Sequence, residues 1–382
     1  MGAGILEVVG FSIYTVEMPM RFSVSHSLAQ RSVARNILVC ARGVGGVVGW
    51  GESCPRAYVT GETIGTVKSE LSNNILPEMV GMRFSSFEDL TGYLRDYFLE
   101  IDRDQQAAFC AAELAVLDLA GKTFGVSAGS VIGPIVKRKI RYSGVIAVKD
   151  PAKVRKYSWA MRLFRFREVK VKVGPSLKAN LEKLGIVRRI MGPKVGIRVD
   201  ANCAWESDEA IAQIKAMSKF GLCGVEQPVG GGDYEGMRRV TAEKLVPVIA
   251  DESMCSMGDA ERLIAEKGCD VFNIRVCKCG GLINSFDIYR KAVAAGIGCQ
   301  LGCQVGESVI LSAAGRHIGT RCEGLKWFEG SYGRLLLKRK IGRRGITIRF
   351  GGWGRSLDGD GLGVEPVGRR INESKIDLVE IA

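Results

Sequence analysis

Five charged residues recur along the chain at nearly constant intervals. Lys172, Asp200, Glu226, Asp251 and Lys278 are separated by 28, 26, 25 and 27 residues. Each closes or follows a short apolar run: VKVKV, GIRVD, GVEQP, VIADES and NIRVCK. Three of the five are carboxylates. Three acids brought together repel one another unless a cation neutralises them, and oxygen-only ligation suits a hard ion, Mg²⁺ or alternatively Mn²⁺. Asn202 in VDAN, Gln227 in EQP and Glu252 beside Asp251 are placed to orient ligands or substrate. A single acid after a strand is commonly a helix cap, but three in succession framed by lysines point to a site.

The lysines suggest proton transfer. Lys170 and Lys172 are two apart in one run, so on a strand both face the same way. Two neighbouring ammonium groups disfavour each other's charge, and burial adds to this, so the pair is expected to pull a lysine pKa below its ordinary value of about 10.4. Lys278 follows the last acid and arrives from the other side. A Schiff-base lysine is the alternative use of such a residue, but that chemistry needs no trio of acids.

The intervals are those of strand-helix units. Strands are expected at 142–148, 168–173, 196–200, 224–226, 247–251, 271–276 and 298–304, with an eighth at 326–329. Between them lie amphipathic helices, one opening at Pro175 and others near 207–220, 258–267 and 283–296. Alternation of this kind implies a parallel sheet, and closing it into a barrel brings all strand ends to one mouth. Ahead of the barrel, alternating apolar residues over 5–16 and a hairpin over 36–50 precede a strongly apolar helix over 105–124, ended by Gly125. The fold class is therefore α/β: a modified TIM-type (β/α) barrel with an α+β N-terminal capping domain. Expected bounds are 1–135 for the cap, 136–340 for the barrel and 341–382 for a segment that returns to the cap. No low-complexity linker separates the parts.

Composition excludes several classes. At 382 residues, 46% hydrophobic and 25% charged, the chain has the balance of a globular protein with a large core. No apolar run is long enough to span a membrane and no basic cluster leads into one, so a cytoplasmic protein is expected. The 12 cysteines include no CxxC pair and fall mostly in apolar segments, as buried reduced thiols do. The net charge of +13 is concentrated in Arg334, Lys338, Arg339, Lys340, Arg343, Arg344, Arg349 and Arg355, with no acid between them. A solvated surface accounts for that run more readily than nucleic-acid binding does. A basic barrel that binds acidic partners without catalysis is the non-enzymatic reading.

The series KVKVG, RVDANCAW, VEQPV, IADES and RVCKCGG, together with AAFCAAELAVLDLAGKTFG and GWGES, resembles the enolase superfamily and its muconate-lactonizing subgroup. That resemblance implies Asp200, Glu226 and Asp251 as metal ligands, Lys172 and Lys278 as acid/base groups, and Lys170 as a modulator of Lys172. It implies abstraction of the proton α to a carboxylate through an enediolate. The substrate would be a small carboxylate, acted on by a racemase, an epimerase of amino-acid derivatives or a cycloisomerase, with a succinylbenzoate-synthase-type or sugar-acid dehydratase as runner-up. Relatives of this kind are often homo-oligomers. The seventh-strand histidine of the mandelate-racemase pattern is missing, and His317 is assigned a structural or surface role. Specificity in such enzymes resembles a property of the capping loops, here 22–31 with His26 and 57–62, and of the last strands, where Glu307 and Glu329 lie. WFEGSYG lacks the Asp-x-Asp pair of dipeptide epimerases, which lowers an Ala-Glu-type activity in the ranking.

Overall fold

The computed structural model describes residues 4–25, 30–99, 103–343 and 346–382; His26 and Arg344 lie outside the described residues. The N-terminal layer is an antiparallel sheet of β1 (Leu6–Ser25), β2 (Gln30–Gly43) and β3 (Val48–Ser53). β1 runs well past the expected 5–16, accommodated by irregularities between Val8 and Gly10 and between Pro19 and Val24. Helix α1 (Gln106–Phe124) packs on this sheet at very close range: a Cβ on Gly51 would lie 1.8 Å from the Ala111 carbonyl oxygen. The GWGES segment therefore needs glycine for contact rather than for its backbone freedom. Gly125 ends α1 in the left-handed region at φ 69°.

The second layer is a parallel sheet of seven strands: β4 (Gly144–Ile146), β5 (Glu168–Lys172), β6 (Gly196–Asp200), β7 (Leu222–Glu226), β8 (Val248–Ala250), β9 (Val271–Ile274) and β10 (Gly298–Leu301). Residues 326–329 stand where an eighth strand is expected. They form a single parallel bridge between Phe328 and Leu301, extended by Glu329 N to Leu301 O at 2.8 Å. Ser143 N donates to Phe328 O at 2.8 Å, which links this segment to the start of β4. Helices follow the strands, but Pro175 does not open one: the helix begins at Leu177 with Ser176 as its cap. The proline fits just ahead of the cap because its missing N–H leaves no helical hydrogen bond unmade.

Two buried glutamates tie the layers together. Glu52 on β3 accepts from Ser308 N, Ser308 Oγ and Leu311 N at 2.8, 2.6 and 2.9 Å, at the start of α3 (Val309–Arg321). Glu113 on α1 accepts from Leu282 N and Ile283 N at 2.7 and 2.9 Å, at the start of α2 (Leu282–Ala294). Helix N-termini present unpaired N–H groups, and the carboxyl oxygens of these two glutamates satisfy them. Finally β11 (Lys375–Ile381) adds an antiparallel edge strand to β1, pairing Ile381 with Phe11. No helix among the described residues is long and apolar enough to cross a membrane, and no cysteine among them is disulfide-bonded.

Candidate active site

The parallel strands deliver their polar ends to one mouth. Lys170 and Lys172 lie on β5, Asp200 ends β6, Glu226 ends β7, and Asp251 follows β8. The three carboxylates are fully buried, at 0% exposure each. Lys172 Nζ sits 2.8 Å from Asp200 Oδ2 and also donates to Asn202 Oδ1. Lys278 comes from the turn after β9 and donates to Asp251 Oδ1 at 3.0 Å, to Asp251 O at 2.8 Å and to Asn273 O at 2.8 Å. The row of acids thus has a lysine at each end, as the spacing predicts.

Charge inside this row is tightly compensated. Burial alone raises a carboxyl pKa, yet Lys172 and Lys170 hold that of Asp200 well below the usual range. Lys278 is pushed below the ordinary lysine value, burial being the largest cause. Lys170 goes the other way. Burial opposes its charge, but Glu226, Glu329 and Asp200 together outweigh burial and raise its pKa. The expectation that Lys170 and Lys172 depress each other therefore does not hold at Lys170, because three acids lie within 3.2 Å of its ammonium.

A closed ring of polar side chains fills the barrel beneath the acids. Lys170 Nζ is 2.9 Å from Glu226 Oε1, Gln300 Nε2 is 2.8 Å from Glu226 Oε2, and Arg198 donates to Gln300 Oε1. Arg198 Nη2 reaches Glu329 Oε1 at 3.0 Å, and Glu329 Oε2 lies 2.6 Å from Lys170 Nζ. Glu329 is thereby committed to two cations, which holds its pKa below the ordinary value despite burial.

The turns after β6 and β7 are strained. Asn202, Cys203 and Gln227 have φ of 46°, 61° and 37°, a region that residues with a Cβ seldom enter. Hydrogen bonds hold them there. Asn202 N donates to Asp200 Oδ1 at 3.0 Å, and the Gln227 side-chain amide links the ends of β7 and β8, accepting from Asp251 N at 2.9 Å and Ser253 N at 3.1 Å while donating to Ser253 Oγ at 2.7 Å.

The remaining expected residues divide. Asn202 Nδ2 donates to Glu252 Oε1 at 3.2 Å, so Glu252 joins the site. Burial, then Asp200, pushes Glu252 up to about 7, and its Oε2 has no hydrogen-bond partner among the described residues. Glu307 is turned back on its own loop, with Oε1 accepting from Gln304 N at 2.5 Å, and burial raises it to about 8. His317 is fully buried, with Nε2 3.2 Å from Leu362 O; of the structural and surface placements expected for it, it is not on the surface. His26 lies outside the described residues.

Arg275, Arg198, Asn273 and Gln300 escaped the sequence reading. Arg275 bridges two of the acids, with Nη2 in contact with Asp251 Oδ2 and 3.6 Å from Glu226 Oε1. For one of them the signal was the period of two: Arg198 precedes Asp200 by two on the same strand, so it points to the same side as a recognised neighbour.

The donor set fits a hard cation in kind, with three buried carboxylates and two further buried oxygens, Glu252 Oε2 and Asn273 Oδ1, that have no hydrogen-bond partner among the described residues. Lys170 stands between Asp200 and Glu226, at 3.2 and 2.9 Å, and Arg275 between Glu226 and Asp251. In this arrangement no group of three acid, cysteine or histidine side chains among the described residues is drawn in to ligand distance.

Known proteins align with both layers. Residues 9–133 match the family model described as mandelate racemase / muconate lactonizing enzyme, N-terminal domain, and residues 152–370 match the one described as enolase C-terminal domain-like. An L-Ala-D/L-Glu epimerase of Clostridium acetobutylicum is 31% identical over 271 residues, 70% of this chain and 74% of its own. An N-succinyl-L-Arg/Lys racemase of Bacillus cereus is 25% identical over 98% of each chain. The crystal structure of a dipeptide epimerase from Enterococcus faecalis, complexed with Mg and the dipeptide L-Leu-L-Tyr, superposes with a TM-score of 0.86 at 23% identity, covering 94% of this chain and 99% of that one.

Proposed function

The chain belongs to the enolase superfamily, in the subgroup around muconate lactonizing enzyme, and is an isomerase of that superfamily; from that premise we propose that it removes and returns the proton α to the carboxylate of a small substrate, in a Mg²⁺-dependent racemisation or epimerisation of an amino-acid derivative. The observation that carries this reading is the pair of lysines at the two ends of the acid row, Lys172 on Asp200 and Lys278 on Asp251. Inversion at carbon needs a base on one face and an acid on the other.

Asp200, Glu226 and Asp251 would hold Mg²⁺, with Mn²⁺ as a substitute. Bound there, the ion supplies a positive charge that offsets the substrate carboxylate and the negative charge that builds up as the proton leaves. Lys278, held below the ordinary lysine value by burial, has access to its neutral form and serves as base for one enantiomer. Lys172 delivers or takes the proton on the opposite face. Lys170, whose pKa is raised by the acids around it, remains charged and, with Arg275, stands between the acids.

Glu329 favours one substrate type within this class. Its two oxygens are engaged by Lys170 and Arg198, so it is not offered to a substrate ammonium group. An N-acylated amino acid meets that condition better than a dipeptide with a free amine. Muconate-type cycloisomerisation uses the same groups and is the second reading; loss of water from a β-hydroxy acid is the third.

NMR in D₂O separates them. N-acyl amino acids, dipeptides and muconate-like acids are incubated with enzyme and Mg²⁺, and exchange at the α-carbon is followed. Exchange that requires the metal, with inversion abolished in both Lys172→Ala and Lys278→Ala, is the expected result. Normal inversion in either variant would rule out the two-base mechanism.

A further inference from the structure

Five residues of the basic run, which the active site does not use, line one hollow. Arg334, Lys338, Arg339, Lys340 and Arg343 line it from one side and Arg370 from the other. Their placement is fixed by the chain beneath them. Leu337 and Ile341 are 2% and 1% exposed and so anchor the segment, while the basic side chains between them are exposed. Lys338 N donates to Pro19 O at 2.8 Å, Arg343 N to Glu365 O at 3.0 Å, and Val367 N to Ile341 O at 2.7 Å. Three segments of the chain thus hold these cations in one concave face, whose lining includes none of the acid row.

The charge there is uncompensated. Glu373 is the one acid lining the hollow, and its carboxylate is taken by Arg369 at 3.1 Å. None of the six lining cations forms an ion pair within 4.0 Å among the described residues. Arg339 and Arg370 donate instead to the carbonyl oxygens of Glu373 and Gly342, which stiffens both guanidinium groups. Like charges gathered this closely repel, and an anion carrying several charges relieves that repulsion best. Rigid guanidinium forks match phosphate oxygens in pairs, and lysines add point charges.

We propose that this hollow is a binding site for a compact oligophosphate, a linear chain of phosphates such as inorganic tripolyphosphate or the triphosphate of a nucleotide. A single carboxylate or phosphate engages too few of the cations. An extended nucleic-acid strand would leave most of its charge beyond the rim.

Calorimetric titration of the full chain with tripolyphosphate, inorganic phosphate and a single-stranded RNA tests this at about 50 and about 200 mM salt. The expected result is saturable one-to-one binding of tripolyphosphate that weakens with salt. Lys338→Gln combined with Arg343→Gln should weaken it roughly tenfold or more, with the melting temperature in the absence of ligand unchanged. Absence of saturable binding, equal affinity for inorganic phosphate, unchanged affinity in the double variant, or RNA binding that is tighter and grows with strand length would each overturn the assignment. Because both substituted side chains are exposed, loss of folding is not expected to confuse the outcome; Lys338→Gln alone, read for a smaller loss, guards against it.

Discussion

Lys170 Nζ lies 2.6 Å from Glu329 Oε2 in the interior of the barrel, where the two residues are only 3% and 4% exposed. The pair joins the second strand of the parallel sheet to the segment that takes the eighth position. Replacing Glu329 by Gln keeps the shape but removes a charge shared by Lys170 and Arg198. Breaking a buried ion pair from one side leaves the other charge uncompensated, at a typical cost of about 3 to 5 kcal/mol. Urea denaturation of Glu329→Gln should show a loss of that order; a change within about 0.5 kcal/mol, the range of an ordinary surface substitution, would mean that the ring is not a structural unit.

Arg275 touches two of the three acids proposed to hold the metal. A cation arriving there must share Asp251 and Glu226 with the guanidinium or displace it. Arg275→Met is therefore expected to bind Mg²⁺ more tightly than the native chain. The readout is the rise in melting temperature between EDTA and saturating Mg²⁺, which should be larger in the variant. An equal or smaller rise would show that Arg275 helps the site to hold the ion rather than competing with it.

Glu113 gives the stability a dependence on pH. Its carboxyl is raised from 4.5 to about 7, with burial the largest cause and the amides of Ile283 and Leu282 working against it. For an acid shifted upward, the protonated form is preferred on folding. The contribution is whole below pH about 4.5 and is lost as pH rises towards 7, with a slope of at most roughly 1.4 kcal/mol per pH unit. Glu62 and Glu252, each raised to about 7 mainly by burial, tilt the curve the same way. Glu113→Gln should accordingly lose less stability than the native chain between pH 5 and 7, even if it starts lower. Chemical denaturation at the two pH values measures the difference, and parallel losses in both proteins would contradict it.

Much of the site could be read from the sequence because its rule is simple. A charged residue at the end of each apolar strand, repeated at one strand-helix interval, can only converge if the strands are parallel and adjacent. Lys172, Asp200, Glu226, Asp251 and Lys278 obey that rule. What escaped was set by pairings across the barrel. Lys170 is pushed up by Glu226 and Glu329, 56 and 159 positions further along the chain, and nothing local to KVKVG reports those neighbours. Arg198 and Gln300 were hidden for the same reason, since each looks like an isolated polar residue in an apolar strand until its partner is known. The extent of β1 was missed because its later half, through Pro19 and Phe22, is paired through an irregular register with β2 rather than by plain alternation.

The ring of Lys170, Glu226, Gln300, Arg198 and Glu329 also bears on how the molecule is assembled. Its members are drawn from early and late strands alike, so no first half of the barrel can satisfy its own buried charges. A ribosome-bound or truncated chain ending near residue 290 would carry Arg198 with neither Gln300 nor Glu329, while Lys170 and Glu226, 2.9 Å from each other, would lack Glu329 and Gln300. Collapse of such an intermediate around unpaired charges is unfavourable. The barrel should therefore fold as one late, cooperative event, governed by contacts of long sequence separation, and its halves should neither fold alone nor exchange freely with one another.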